Sequence, residues 1–282
     1  RFPLCTDTVS LRYTIHMRIL KLGAAIVGAL LLTTFAIDAS DTLRGRSGTL
    51  VANLMGREAT ACPLGMVSLT TARTFSCVDA FEASAEQNCP FPSTDDELST
   101  IANITDTNCN AESKPNAEPW RFISREQAVL MCARAGKRLP SAAEWYEAAI
   151  GTPDNATCVI DAGSPAQTGT HSDCRSVAGI FDAVGNVWEW TNDDVFNGVY
   201  ANRTLPTEGY VAQVGNDGVA SVTAATPTPQ FGNDYFWHTA TGSFGMMRGG
   251  YYASKEDAGV YAVHSKTLPT AIGGAIGFRC VQ

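Results

Sequence analysis

Eight cysteines lie between residues 62 and 282, behind an uncharged run from Leu22 to Ile37. Together these two features constrain the fold most. An even number of thiols in an exported chain points to disulfides, and a disulfide-tied domain can carry long loops that a reduced one could not hold. Arg18 and Lys21 precede the run, and Asp38 and Asp41 end it. That is the layout of a secretory signal, with Met17 as the expected start and residues 1–16 as upstream read-through. A cleaved signal and a retained N-terminal membrane anchor both fit the run's length; the absence of a clean small-x-small cleavage site leans toward the anchor. Either leaves the rest of the chain extracytoplasmic, secreted or anchored at the cell surface. No Cys-x-x-Cys pair occurs, which disfavours a structural zinc site. Asn103, Asn155 and Asn202 each open a formal glycan acceptor triplet.

Charged residues make up only 17% of the chain and apolar ones 45%, which excludes a disordered tail or a coiled coil. The net charge of -8 gives nucleic acid no basic footprint to bind. Residues 38–60 are polar and aperiodic and read as a linker, and 61–282 as one domain. The stretch 84–119 is rich in Pro, Asn, Ser and Asp and reads as a long loop tied through Cys89 and Cys109. Two helices are marked by capping boxes, Ser124 with Gln127 and Ser141 with Glu144, the first ended by Gly136 and the second by Gly151. From about 155 onward the chain is rich in Gly, Asn and Thr, and short strands with long loops are expected, as at Val260–Val263. The class is an irregular, disulfide-tied α+β domain with two main helices.

Four ordered motifs carry a resemblance. They are Gly136-Lys-Arg-Leu-Pro140 leading into Ala143-Glu-Trp145, Val184-Gly-Asn-Val-Trp-Glu-Trp190, Met247-Arg-Gly-Gly250 and Ile276-Gly-Phe-Arg-Cys280. In this order they resemble the formylglycine-generating enzyme (sulfatase-modifying factor) family, which implies a C-type-lectin-like fold and a disulfide between Cys132 and Cys280. It also implies a structural calcium ion held by Asp182, Gly185, Val187 and Glu189, the Gly and Val through their carbonyls; tight-loop carbonyls beside a carboxylate suit a hard cation. Read without the resemblance, Trp188 and Trp190 serve equally well as core and Glu189 as a salt-bridged acid. Arg138 and Arg279 are expected in structural ion pairs or loop hydrogen bonds.

One departure bears on activity. Catalytic relatives hold copper with two cysteines after Arg-Gly-Gly, and by position these fall on Ser254 and Gly259. Neither side chain supplies the soft thiolate that Cu(I) requires, so copper and catalytic residues are not expected. The segment 248–280 bears a second resemblance, to the variable region of diversity-generating-retroelement target proteins, which share the lectin-type fold. Their variable slots derive from AAC codons altered at adenines. Tyr251, Tyr252, Ala253, Ser254, His264, Ser265, Ala271, Ile272, Gly273, Gly274 and Ala275 are reachable from AAC, whereas Lys255, Glu256 and Lys266 require other codons. This resemblance implies a non-catalytic binding surface of Tyr251, Tyr252, Ala253, Ser254, Lys255, Glu256, His264, Ser265, Lys266, Ala271, Gly273 and Gly274. Tyr, Ser, Gly and His suit such a surface, because rings give area at low entropy cost and small residues give adaptability. The expected ligand is a protein or glycan on another cell or phage. The alternative is a formylglycine-generating-type oxidoreductase acting on a sulfatase cysteine.

Overall fold

The computed structural model describes residues 62–69, 72 and 74–282. The apolar run and the linker lie outside the described residues; within them, no helix is long and apolar enough to cross a membrane.

The chain enters through a short antiparallel pair, β1 (Met66–Ser68) and β2 (Cys77–Asp79). The C-terminus returns to the same place: Val281 bridges Val78, and the Gln282 carbonyl accepts from the amides of Ser76 and Cys77. A second pair, β3 (Ala83–Ala85) and β4 (Ala111–Ser113), closes the segment expected to be a loop. Within that segment the Cys89–Cys109 disulfide is present, as expected, but so is a nine-residue helix, α1 (Glu97–Thr105). Among the described residues, three α-helices therefore stand where two were expected. The helix escapes apolar periodicity because its orientation is inverted. Ser99, Thr100 and Asn103 are buried, while Leu98 and Ile101 are exposed. Hydrogen bonds hold the polar face: Thr100 Oγ1 donates to the Arg121 carbonyl and accepts from Trp120 Nε1. Asn103 accepts from the Phe91 amide and donates to its carbonyl, so this fully buried side chain is closed to a glycan.

The two capping boxes are formed as the sequence predicts, on α2 (Arg125–Arg134) and α3 (Ala142–Ala149). Beyond them the chain builds more than scattered short strands. A nine-stranded sheet contains β5 (Trp188–Phe196), β6 (Val199–Tyr200), β7 (Arg203–Thr204), β8 (Gly209–Val214), β9 (Ala220–Ala224), β10 (Tyr235–His238), β11 (Ser243–Gly249), β12 (Gly259–Thr267) and β13 (Ile276–Gly277). Its order is β7-β6-β5-β11-β12-β10-β8-β9, with β13 added parallel to β5. The strands are hard to read in sequence because their registers slip, for example between Gly245 and Met247 against β5. A side chain at Gly245 would stand 2.7 Å from the Trp190 ring, so a bare backbone lets the indole through.

One side of the sheet packs Trp188, Trp190, Met247 and Ala262 against Trp120, Met131 and Phe278. The other buries Val263, Phe236, Met246 and Val211. Four disulfides, Cys62–Cys77, Cys89–Cys109, Cys132–Cys280 and Cys158–Cys174, use every cysteine of the described residues. Such a set places folding in an oxidising, extracytoplasmic compartment.

Candidate ligand-binding face

Alternation along β12 sorts its residues by face. Val263 points into the core shared with Phe236, while His264 pairs in register with Trp237 of parallel β10. Around His264 an aromatic row is built from rings on four strands, β5, β12, β10 and β8. Tyr210 meets Tyr235 edge-on at 5.0 Å between ring centres, Tyr235 meets Trp237 at 5.0 Å, Trp237 stacks on His264 at 6.1 Å, and His264 meets Trp188 at 5.7 Å. Trp188 is buried, whereas Tyr210, Tyr235, Trp237 and His264 are half-buried, so the row runs from core to open surface. Tyr251 and Ile276 lean, also half-buried, on the core cluster that supports Trp237. Burial and the Lys266 charge push the His264 imidazole down to about 4, so at neutral pH it is an uncharged ring among rings.

The expected surface residues divide. His264 sits within the row and Tyr251 on the cluster beneath it, whereas Ala271, Gly273 and Gly274 are half-buried in the 268–275 loop, which is pinned by the Arg125 amide to the Pro269 carbonyl and the Phe122 amide to the Gly273 carbonyl. Tyr252 is fixed by its backbone to Asn186 and Ala162 and meets Tyr251 edge-on at 5.1 Å. Lys266 pairs with exposed Glu208 at 2.8 Å. Ala253, Lys255 and Glu256 instead line a cleft of about 790 Å³ with Asp154, Asn155, Asp161 and Asn233. Two expected surface side chains are buried. Ser265 Oγ donates to the Trp237 carbonyl and contacts His238 Nδ1, and Ser254 Oγ accepts from the Tyr251 amide. Both hold the backbone that presents their neighbours. Sequence reasoning missed Tyr210, Tyr235 and Trp237. The Tyr-x-Trp alternation in Tyr235–Trp237 was the available signal, but nothing local ties it to residues 248–280.

The two carboxylates matched to a calcium site already have partners. Glu189 Oε1 accepts from Arg279 Nη2 at 2.5 Å, and Oε2 accepts from Arg279 Nε and Trp145 Nε1, each at 2.6 Å. Asp182, held at a φ of 57°, accepts the Gly169 amide at 2.6 Å, and burial raises its carboxyl to about 6. The Gly185 amide donates to the Gly249 carbonyl, while the Val187 amide donates to buried Glu82. Burial, with Asp182 and Glu189 beside it, pushes the Glu82 carboxyl well up. The Glu189 carboxylate does not fit a calcium ion, since a dication there would face the fully buried Arg279 guanidinium. Arg279 and Arg138 both make the expected ion pairs, Arg138 with Glu144 at 2.7 Å.

The two redox positions are equally committed. A Cβ on Gly259 would stand 1.9 Å from Asp234 Oδ1, leaving no room for a thiolate. Ser254 caps the Tyr251 turn, and each cysteine of the described residues is in a disulfide.

The family model described as sulfatase-modifying factor enzyme 1-like domain matches residues 69–282. No curated protein matches the chain. Among solved structures the chain is similar to Major Tropism Determinant I1 Variant, at 17% identity and a TM-score of 0.42, covering 79% of this chain and 56% of that one. It is similar also to Treponema denticola variable protein 1, at 14% identity and 0.41, covering 78% and 99%. A third similar structure is CarF, at 13% and 0.40, covering 78% and 98%. The chain thus spans little more than half the length of the tropism determinant.

Proposed function

Because the chain belongs to the sulfatase-modifying factor enzyme 1-like family, it starts from a disulfide-tied frame, and we propose that it uses that frame as an exported, non-catalytic ligand-binding protein. The observation that carries this reading is the aromatic row that runs from buried Trp188 to half-buried Tyr210, with half-buried Tyr251 packed on the same core cluster as Trp237. Flat rings with a few polar tips bind by buried area and a small number of hydrogen bonds, which suits a protein or a glycan displayed on another cell or phage. The oxidoreductase reading is not favoured, since neither Ser254 nor Gly259 brings a thiolate and position 259 has no space for one.

The test is to screen the full chain against glycan arrays, intact cells and phage particles, and then to compare Trp237→Ala and Tyr251→Ala on whatever binds. Each change is expected to weaken binding by roughly tenfold or more, the scale of a buried aromatic anchor. Unchanged binding by the double variant, or aerobic turnover of a cysteine peptide by the full chain, would contradict the proposal.

A further inference from the structure

Asp234 sits where three strands meet. Its amide donates to the Phe231 carbonyl ahead of β10, its carbonyl accepts from the Val211 amide of β8, and its Oδ2 accepts from the Tyr261 amide of β12 at 2.6 Å. The side chain is fully buried between two bare backbones: a Cβ on Gly259 would stand 1.9 Å from Oδ1, and one on Gly232 3.0 Å from it. The same point beside Gly232 lies 1.7 Å from Asp154 Oδ2, and the two carboxyls hydrogen-bond to each other there. An ionised carboxylate only accepts, so this bond exists only while a proton lies between the pair.

Among the described residues, no cation forms an ion pair with either acid. Arg248 of β11 acts on Asp234 without bonding to it, its Nη2 donating to the Gly218 and Val260 carbonyls. Glu256 repels Asp154, the phenols of Tyr146 on α3 and Tyr261 on β12 stand beside the pair, and Asp161, Lys255 and Asp257 line the adjoining cleft with Asp154. Burial raises Asp154 to about 6, and burial with the neighbouring acid raises Asp234 well above the usual carboxylate range.

Asp154 opens a loop that supports the 251–257 segment from behind. The Ile160 carbonyl accepts from the Lys255 amide, and the Ala162 amide donates to the Tyr252 carbonyl. Lys255 is held at a φ of 55°, a left-handed conformation that a side-chain-bearing residue keeps only where its surroundings restrain it. We propose that the proton shared by Asp154 and Asp234 is a pH-sensitive latch, clamping the 153–162 loop onto the heads of β10 and β12 and, through that loop, fixing the backbone of Tyr252 and Lys255. In acid and at neutral pH the latch is closed. Toward alkaline pH the last proton leaves, two crowded charges repel, and the loop loosens with the segment it holds. The latch needs no ligand, so it stands or falls apart from the binding reading.

The experiment compares the full chain with the double variant Asp154→Asn, Asp234→Asn, whose amides can bond without a titrating proton, in denaturant titrations from pH 7 to 9, where His264 stays neutral. Carboxyls of the unfolded chain titrate at about 4, so in this window only the native state holds the proton and its stability falls as pH rises. The folding constant of the native chain is expected to drop, relative to the variant, by up to about tenfold per pH unit. Parallel curves overturn the shared proton and the latch with it. Hydrogen exchange on the unmodified chain tests the clamp without relying on the variant. With rising pH the Lys255 and Ala162 amides are expected to lose protection relative to the Ala128 amide of α2, which is bonded to the Ser124 carbonyl. If all three keep the same relative protection, the latch is overturned even where the proton is present.

Discussion

Arg279 shows how much of this molecule hangs on single buried charges. Its guanidinium is fully buried, with Nε and Nη2 forked onto Glu189 and its remaining donors on the carbonyls of Asp79 and Phe181. Removing it strands Glu189 beside Glu82 and Asp182, so Arg279→Met is expected to cost about 3–5 kcal/mol in chemical denaturation. Arg279→Lys should recover little, because an ammonium cannot reproduce the fork. His264 gives a pH signature. Its pKa is about 4 in the fold against 6.5 for an unperturbed imidazole, so between these values the unfolded chain binds a proton that the native one does not. Stability from this group is therefore full above pH 6.5 and is lost as pH falls toward 4, by at most about 1.4 kcal/mol per pH unit. Denaturation midpoints of the native protein and His264→Gln should diverge over that window; parallel curves would refute the assignment.

Elements built from local signals were legible in the sequence, and those built from distant partners were not. The helices α2 and α3 announce themselves by Ser-x-x-Gln and Ser-x-x-Glu, and both boxes close. Helix α1 carries the same signal in Asp96 and Ser99, but its buried side is polar and its apolar side faces water. A periodicity argument reads that pattern as loop. The sheet order depends on pairings such as β10 with β12, which no local motif encodes, and the aromatic row was lost with it. The Cys132–Cys280 pairing came from resemblance; structurally it ties α2 to the chain end across a separation of 148 residues. Replacing both cysteines by alanine is expected to cost about 4–5 kcal/mol, against about 3 kcal/mol for Cys62–Cys77 with its separation of 15. Equal losses in denaturant titrations would show that loop closure is not what these bonds contribute.

At the scale of the whole molecule, one stretch of chain alternates frame and display. Ala258, Ala262, Phe278 and Cys280 are buried and Arg279 anchors the ion network, while before and between them Ala253, Lys255, Glu256 and Lys266 are exposed, with Tyr251, Tyr252 and Ala271 half so. Even glycines differ: a Cβ on Gly273 would meet only the Ile276 side chain, at 3.4 Å, whereas one on Gly277 would stand 2.9 Å from the Trp120 carbonyl. The account claims that the first group is fixed by packing and the second is free to change. The direct measurement is protease resistance of a displayed library in which Tyr251, Tyr252, Ala253, Glu256, Lys266, Ala271 and Gly273 are varied together, beside a second, smaller library at Ala258, Ala262, Phe278 and Gly277. The account predicts that most members of the first library resist protease as the native chain does, while most of the second are cut. Equal sensitivity of the two libraries would contradict it.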